Sequence, residues 1–121
     1  MKRPLRVLIV EDEALTVLML RQFLVAHGCA PPVAVASGQA ALDEVARKVP
    51  DLILMDVGLA GALDGVETSR RILATHGVPL ILMTGYPREE ILSRIDPLAI
   101  TACLTKPISM AELGKHLAAL A

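Results

Sequence analysis

The sequence predicts an α/β fold of the doubly wound class, in which helices cover both faces of a five-stranded parallel sheet. Short runs rich in Val, Ile and Leu alternate with longer segments of helical spacing along the 121 residues. Continuous apolar runs are typical of strands that are buried on both faces. A helix between consecutive strands requires a right-handed crossover, which makes neighbouring strands parallel.

Five apolar runs are the candidate strands. In chain order they are Leu5–Val10, Val33–Ala36, Leu52–Met55, Pro79–Met83 and Ala99–Leu104. The third and fourth are apolar at every position, as is Val7–Val10 within the first. These strands are therefore expected to be buried on both faces.

The segments between the runs carry helix signals. Ala14–Ala26 is apolar nearly all round, which is more than packing on one sheet requires, so we expect part of it to dock the helices of a partner. Ser37 is the expected N-cap of a helix that runs through Lys48. Asp64, with Glu67 three residues later, forms a start like a capping box for a helix that runs through Ala74.

Two further helices complete the prediction. Arg88–Arg94 is short and follows Pro87, so it is the weakest of the predicted helices. Ser109 and Glu112 repeat the capping-box pattern at the start of the closing helix. Its apolar positions have helical spacing and are Met110, Leu113, Leu117 and Leu120.

Composition excludes several classes of function. The chain has 13 acidic and 12 basic residues and a formal net charge of −1, so no general attraction for polyanions is expected. Phe23 and Tyr86 are its only aromatic residues, too few to stack a run of single-stranded bases. We therefore expect no direct binding to nucleic acid. The length and the 54% hydrophobic content suit one domain over residues 1–121.

The cellular compartment is predicted from the first strand and from the thiols. The apolar run that ends at Val10 is cut short by Glu11-Asp12-Glu13, so it is neither a signal-peptide core nor a membrane span. Cys29 and Cys103 have no metal-ligand spacing, and we expect both to be reduced and buried. A cytoplasmic protein without membrane attachment is the prediction.

Polar residues follow four of the five predicted strands. Glu11 and Asp12 follow the first, Asp56 the third, Thr84 the fourth and Lys106 the fifth. The carboxyl ends of parallel strands form one edge, where ligands bind in open α/β sheets. Clustered carboxylates repel one another unless a cation is present, and oxygen ligands suit Mg²⁺.

These residue types favour phosphoryl transfer. Lys106 supplies a point charge and Thr84 a hydroxyl donor for phosphoryl oxygens. Asp56, alone at the end of a central strand, is the candidate nucleophile that accepts the phosphoryl group.

Four short motifs, in order and each at a strand end, carry a family resemblance. They are Val-Glu-Asp at 10–12, Leu-Met-Asp at 54–56, Met-Thr-Gly at 83–85 and Thr-Lys-Pro at 105–107. Over essentially its whole length the chain resembles the receiver domains of two-component response regulators, including the chemotaxis receiver. The resemblance implies a flavodoxin-like sheet with strand order 2-1-3-4-5.

The resemblance also implies roles for the site residues. Asp56 would be phosphorylated by a sensor histidine kinase or a phosphotransfer protein. Mg²⁺ would be held by Asp12, Asp56 and the backbone carbonyl of Gly58, with Glu11 assisting through metal-bound water.

Other implied roles concern the switch. Thr84 would move toward the phosphoryl group and Lys106 would pair with it. The Lys106–Pro107 bond would be cis. The face formed by residues 84–106 would then change its binding to a downstream protein.

One departure from the common receiver pattern is informative. Receivers typically carry an aromatic switch residue two positions before the lysine, where this chain has Leu104. Its tyrosine is Tyr86, directly after Thr84-Gly85, as in the FATGUY subfamily, whose members are often associated with HWE-type kinases. If the chain is similar to that subfamily in function too, the signal would pass through residues 85–97 and Tyr86 would shield the acyl phosphate from water. The alternative is that the Tyr86 ring simply packs on the surface of the loop.

Three other functions share part of this residue pattern. A phosphatase resembling the haloacid dehalogenase class would use an Asp-x-Asp nucleophile motif at the first strand, where this chain has Glu11-Asp12-Glu13. A flavodoxin-like binding module would need a phosphate-cradling loop at the same place. The third rival is a receiver-like interaction module that is never phosphorylated. We expect a domain that accepts a phosphoryl group and is not an enzyme. We also expect a stand-alone receiver, and the alternative is an excised domain of a larger regulator or hybrid kinase.

Overall fold

Five strands and five helices alternate in the computed structural model, which describes residues 3–97 and 99–120. In chain order they are β1 (Val7–Val10), α1 (Ala14–Ala26), β2 (Val33–Val35), α2 (Gly38–Arg47), β3 (Leu52–Asp56), α3 (Gly65–Leu73), β4 (Leu80–Thr84), α4 (Arg88–Leu92), β5 (Ala102–Thr105) and α5 (Met110–Leu120). All four strand pairings are parallel, in the order β2-β1-β3-β4-β5. The predicted fold class and strand order are confirmed.

The three central strands are buried at every position, because each sends alternate side chains into two separate cores. Leu8, Ile53 and Leu82 pack on the face covered by α2, α3 and α4. On the opposite face, Ile9 and Leu54 pack against the inner sides of α1 and α5. This two-sided burial is the physical reason for the continuous apolar runs in the sequence.

The predicted helix caps form as expected. Ser37 Oγ accepts a hydrogen bond from the amide of Ala40 at 3.1 Å, and Asp64 Oδ1 accepts one from the amide of Glu67 at 2.9 Å. Ser109 Oγ accepts one from the amide of Glu112 at 3.2 Å. Each bond satisfies an amide in the first turn of a helix that has no intrahelical partner.

The fifth strand begins later than predicted, at Ala102 instead of Ala99. The amide of Ala99 bonds to the carbonyl of Asp96 at 3.0 Å, which closes a turn. The backbone amide of Thr101 donates a hydrogen bond to the carbonyl of Leu80, and the Thr101 hydroxyl accepts one from the amide of Leu80. A side-chain oxygen thus takes part where regular strand pairing would use backbone groups alone. The apolar character of this stretch therefore reflects packing of a loop, since Ile100 lies against the core.

Other boundaries shift by one or two residues. β1 begins at Val7 instead of Leu5, and β2 ends at Val35 instead of Ala36. α4 ends at Leu92, two residues earlier than predicted. β3 and β4 each extend by one residue, to Asp56 and Thr84, so these polar residues belong to the strands themselves.

Two compartment-related predictions can be compared with the structure. Cys29 and Cys103 are free and buried, as predicted. Within the described ranges, no helix combines the length and the apolarity that crossing a membrane requires.

Candidate functional site

The polar residues predicted to converge do meet at the carboxyl edge of the sheet. Asp56 and Thr84 are the last residues of β3 and β4, whereas Glu11 follows β1 and Lys106 follows β5. The register aligns Asp56 with Met83 and Thr84 with Thr105, so the strand ends lie level with one another. Parallel pairing alone thus brings together residues that are far apart in the chain.

Three carboxylates form a compact cluster. Glu11, Asp12 and Asp56 each offer one oxygen, and these oxygens all lie within 4.8 Å of one another. Glu11 and Asp56 are buried, with exposed fractions of 3% and 4%, whereas Asp12 is exposed. The cluster therefore has a buried floor and one member at the surface, so that a small cation and its water molecules have access from solvent.

Lys106 is shared between the two buried carboxylates. Its Nζ lies 3.0 Å from Asp56 Oδ1 and 3.1 Å from Glu11 Oε1. Burial alone would lower the pKa of Lys106, but its hydrogen bonds to these carboxylates and their charges outweigh burial and raise the pKa. The ammonium is therefore held in its charged form.

At Glu11, in contrast, the shift in pKa favours the neutral form of the side chain. Its pKa is raised by burial and by the neighbouring Asp56 carboxyl, and Lys106 offsets only part of that rise. The cluster has three carboxylates, and the ammonium of Lys106 pairs with two of them, Glu11 and Asp56. The metal ligands that these three side chains offer are all hard oxygen atoms, which Mg²⁺ prefers. The residues present thus fit the expected metal.

Backbone groups hold the two buried carboxylates in place. The amide of Gly58 donates to Asp56 Oδ1 at 3.1 Å, and the amide of Glu13 donates to Glu11 Oε2 at 3.2 Å. Asp56 Oδ1 thus receives hydrogen bonds from both Gly58 and Lys106. These bonds fix the carboxylate of the candidate nucleophile at the end of its strand.

Thr84 is directed toward the loop that follows β4. Its side chain is buried, and its Oγ1 accepts a hydrogen bond from the amide of Tyr86 at 2.9 Å. Tyr86 is 57% exposed, and Gly85 is exposed as well. Any movement of the Thr84 hydroxyl would break the bond to Tyr86 and so affect this loop.

The Lys106–Pro107 peptide bond is cis, as predicted. A hydrogen bond to β4 helps to position this peptide, because the amide of Lys106 donates to the carbonyl of Thr84 at 2.7 Å. Pro107 itself is exposed.

Sequence reasoning missed one contact beside the site. Arg94 Nη2 lies 2.6 Å from Asp64 Oδ2 and joins the end of the α4 region to the start of α3. The sequence indicates Asp64 as a helix cap, but Arg94 is 30 positions further along the chain and no periodic signal pairs the two residues.

Comparison with known proteins assigns the family. Residues 7–118 match the response regulator receiver domain. The chain belongs to this family. As a sequence relative, this receiver is 31% identical over 110 residues to the transcriptional regulatory protein PdtaR of Mycobacterium tuberculosis. The match covers 91% of the receiver and 53% of PdtaR, so the chain spans about half the length of that relative.

Solved structures agree with this assignment. The signal receiver domain of a modulated diguanylate cyclase from Desulfovibrio desulfuricans G20 superposes with a TM-score of 0.86 at 32% identity, covering 97% of this receiver and 93% of that chain. The receiver domain of sensor histidine kinase PA1611 from Pseudomonas aeruginosa PAO1, with a magnesium ion coordinated in its active site cleft, gives a TM-score of 0.82 at 28% identity. That match covers 97% of both chains. Membership of the FATGUY subfamily stays a prediction.

Proposed function

We propose that this receiver is a phosphoryl-accepting signalling switch in which Asp56 is the acceptor. The observation that carries the proposal is the surroundings of Asp56, a buried carboxylate at the end of a central strand with an ammonium 3.0 Å from its Oδ1. Two further carboxylates adjoin it. A nucleophilic carboxylate, a cation for the phosphoryl oxygens and hard metal ligands are together suited to phosphoryl transfer.

In the proposed reaction a carboxylate oxygen of Asp56 attacks the phosphorus of a phosphohistidine. The new O–P bond forms as the N–P bond breaks, and the electron pair of that bond returns to the imidazole of the donor. The ammonium of Lys106 balances charge on the transferred oxygens, and the Gly58 amide keeps the Asp56 carboxylate oriented. The product is an acyl phosphate on Asp56.

Mg²⁺ is the proposed cofactor. Asp12, Asp56 and the backbone carbonyl of Gly58 would hold it, with Glu11 acting through water. When bound, the ion neutralises the carboxylates and the phosphoryl oxygens. The magnesium ion in the cleft of the similar PA1611 receiver supports this assignment.

The switch we propose begins at Thr84. In the acyl phosphate state its hydroxyl would donate to a phosphoryl oxygen and give up the bond to the Tyr86 amide, which is 2.9 Å long here. Gly85, Tyr86 and the rest of the 85–97 loop would then rearrange beside Pro107 and change the face that a downstream protein binds. Tyr86 would shield the acyl phosphate from water.

Receiver domains interact with histidine kinases or phosphotransfer proteins, and a sensor kinase of the HWE type is the partner we propose. We further propose that residues 1–121 form a single domain that acts in the cytoplasm, without direct contact to nucleic acid. Turnover of phosphate esters is not part of the proposed function.

The test is phosphorylation by a small donor. Wild-type protein incubated with Mg²⁺ and either phosphoramidate or acetyl phosphate should gain one phosphoryl group by intact mass, and chelation of Mg²⁺ should abolish the gain. Asp56→Ala should gain none, whereas Asp43→Asn, which alters an exposed carboxyl on α2, should behave as wild type. No gain on wild type with either donor, or an equal gain on Asp56→Ala, would refute the proposal. Sustained turnover of p-nitrophenyl phosphate would favour the phosphatase instead.

A further inference from the structure

The helix beside the site, α4, is short and lacks a side-chain cap. α4 has five residues, and its N-cap, Pro87, supplies no side-chain hydrogen bond. A helix of this length is not stable on its own, so tertiary contacts must fix it. Ile91 and Ile95 supply part of that anchoring, with exposed fractions of 2% and 6%. We call residues 86–95 the α4 segment.

An ion pair supplies a second anchor at the end of this segment. Arg94 follows α4, and its Nη2 lies 2.6 Å from Asp64 Oδ2. The other oxygen of the same carboxylate, Oδ1, caps α3 through the amide of Glu67. Burial opposes the ionised form of Asp64, but the Glu67 amide and the Arg94 guanidinium outweigh it and lower the pKa of the carboxyl. One carboxylate thus joins the start of α3 to the α4 segment.

The start of α3 lies directly against the phosphoryl acceptor. The amide of Gly65 donates to the carbonyl of Val57 at 3.1 Å. A Cβ atom at Gly65 would lie 2.0 Å from the carbonyl oxygen of Asp56, so nothing larger than glycine fits there. Asp64, the residue before Gly65, is therefore positioned relative to the backbone of Asp56.

A pocket of about 290 Å³ lies between the loop that follows Asp56 and the α4 segment. Its lining includes Gly58, whose amide bonds to Asp56, together with Tyr86, Asp64 and Arg94. The ion pair thus forms part of the wall of a space that adjoins the acceptor. Separation of Arg94 from Asp64 would remove one of the two kinds of contact that anchor the far end of the α4 segment, at the wall of this pocket.

We infer that the Asp64–Arg94 ion pair is a latch that keeps the α4 segment closed beside Asp56 and slows the access of small phosphoryl donors. The consequence for access rests on the proposed function, whereas the closure itself does not. The side chains of Arg94 and Asp64 are 46% and 38% exposed. An exposed ion pair can change the fraction of molecules in which the α4 segment is open by about two- to fivefold.

Backbone amide hydrogen exchange on the unphosphorylated protein tests the closure. The amides of Glu90, Ser93 and Arg94 bond within the α4 segment and report its opening. In Arg94→Gln they should exchange about two- to fivefold faster than in wild type, and Arg94→Lys should recover part of the protection. The amide of Leu113 in α5 serves as the internal reference.

Three further variants sharpen the test. Asp64→Asn removes the charge but keeps a side chain that caps helices well, so it should match Arg94→Gln. The double variant should open no further than either single variant, because both remove the same interaction. Arg71→Gln makes the same charge change in a pair within α3 and should leave the α4 segment unchanged.

The outcomes are distinct. Unchanged exchange in Arg94→Gln, or an equal acceleration at Leu113, overturns the latch. With Mg²⁺ and phosphoramidate, the latch variants should be phosphorylated about two- to fivefold faster than wild type and Arg71→Gln. Faster exchange without faster phosphorylation overturns the effect on access. A wild-type protein that accepts no phosphoryl group refutes the proposed function, and the exchange result still decides the closure.

Discussion

At the scale of single residues, Lys106 is the counter-ion of a carboxylate cluster. Its ammonium lies within hydrogen-bond distance of both Glu11 and Asp56, whose side chains are almost completely buried. Charges this close interact strongly where water is excluded. Lys106 and the proposed Mg²⁺ would both balance the charge of the Glu11 and Asp56 carboxylates, so we expect each to replace the other in part.

Replacement of this lysine should make the fold depend on Mg²⁺. Lys106→Met leaves two buried carboxylates without their ammonium, so we expect a loss of about 1–3 kcal/mol in the free energy of unfolding when Mg²⁺ is chelated. Addition of Mg²⁺ should stabilise this variant more than wild type. Urea unfolding with chelator and with Mg²⁺ measures both effects.

The control for this experiment is Lys115→Met, which removes an exposed lysine of α5 and should shift neither curve. A smaller Mg²⁺ stabilisation in Lys106→Met than in wild type would contradict the shared role of the two cations.

At the scale of elements, α1 has apolar residues on both of its sides. Leu20 and Leu24 face the core, whereas Leu15, Leu18 and Met19 are each about half exposed or more. An exposed apolar patch on a helix that already packs on the sheet is typical of an interaction surface. The docking of part of α1 on the helices of a partner, for which we take the kinase, stays a prediction.

A charge on this face should impair transfer from a kinase. We expect Leu18→Glu to slow phosphorylation by about tenfold, because a carboxylate placed in an apolar interface costs more than 1.4 kcal/mol. The measurement uses the kinase that phosphorylates wild type fastest in a panel of purified HWE-type kinases. Phosphorylation by phosphoramidate should be unchanged, since Leu18 is outside the site, and an unchanged kinase rate would refute the docking role.

At the scale of the whole molecule, two ion pairs outside the acidic cluster join segments distant in sequence within the part of the chain that the structure describes. One is the latch, and the other joins Arg3 to Asp51 at the opposite edge of the sheet. Arg3 donates to both oxygens of Asp51, at 2.6 and 2.7 Å, and the amide of Arg6 adds a third bond at 2.8 Å. The hydrogen bond from Arg3 is the main cause of the lowered pKa of Asp51, and burial opposes it.

This carboxyl should make stability depend on pH in the acid range. A group whose pKa is lowered by folding stabilises the protein above its unfolded pKa, about 3.9 for Asp, and that stabilisation disappears as pH falls through the lower folded value. Asp51→Asn should therefore cost about 1 kcal/mol near neutral pH. Its difference from wild type should shrink below about pH 4.

Urea unfolding of both proteins across this range checks the prediction. Asp43→Asn, at an exposed carboxyl, is the control and should differ little from wild type at any pH. If the difference in the free energy of unfolding between Asp51→Asn and wild type does not change with pH, the ionised carboxyl contributes nothing to stability.

Much of this fold and site could be predicted from the sequence, for local reasons. Runs such as Leu52–Met55 indicate buried strands because both of their faces are covered, and Ser37 and Asp64 indicate helix starts because a cap acts within three residues. Parallel strands then bring their carboxyl ends to one edge, which places Asp56 near Lys106. The start of β5 was predicted wrongly because Ile100 packs against the core from a loop, and its apolar side chain resembles that of a strand residue.

Tertiary structure alone decided the remaining features. Lys106 is shared between Glu11 and Asp56, and Arg94 pairs with Asp64. Both arrangements depend on how separate elements are oriented. The sequence by itself determined which residues reach the functional edge, because strand periodicity and helix caps are local. Their partners were decided only by packing, because such contacts join side chains that no local pattern relates.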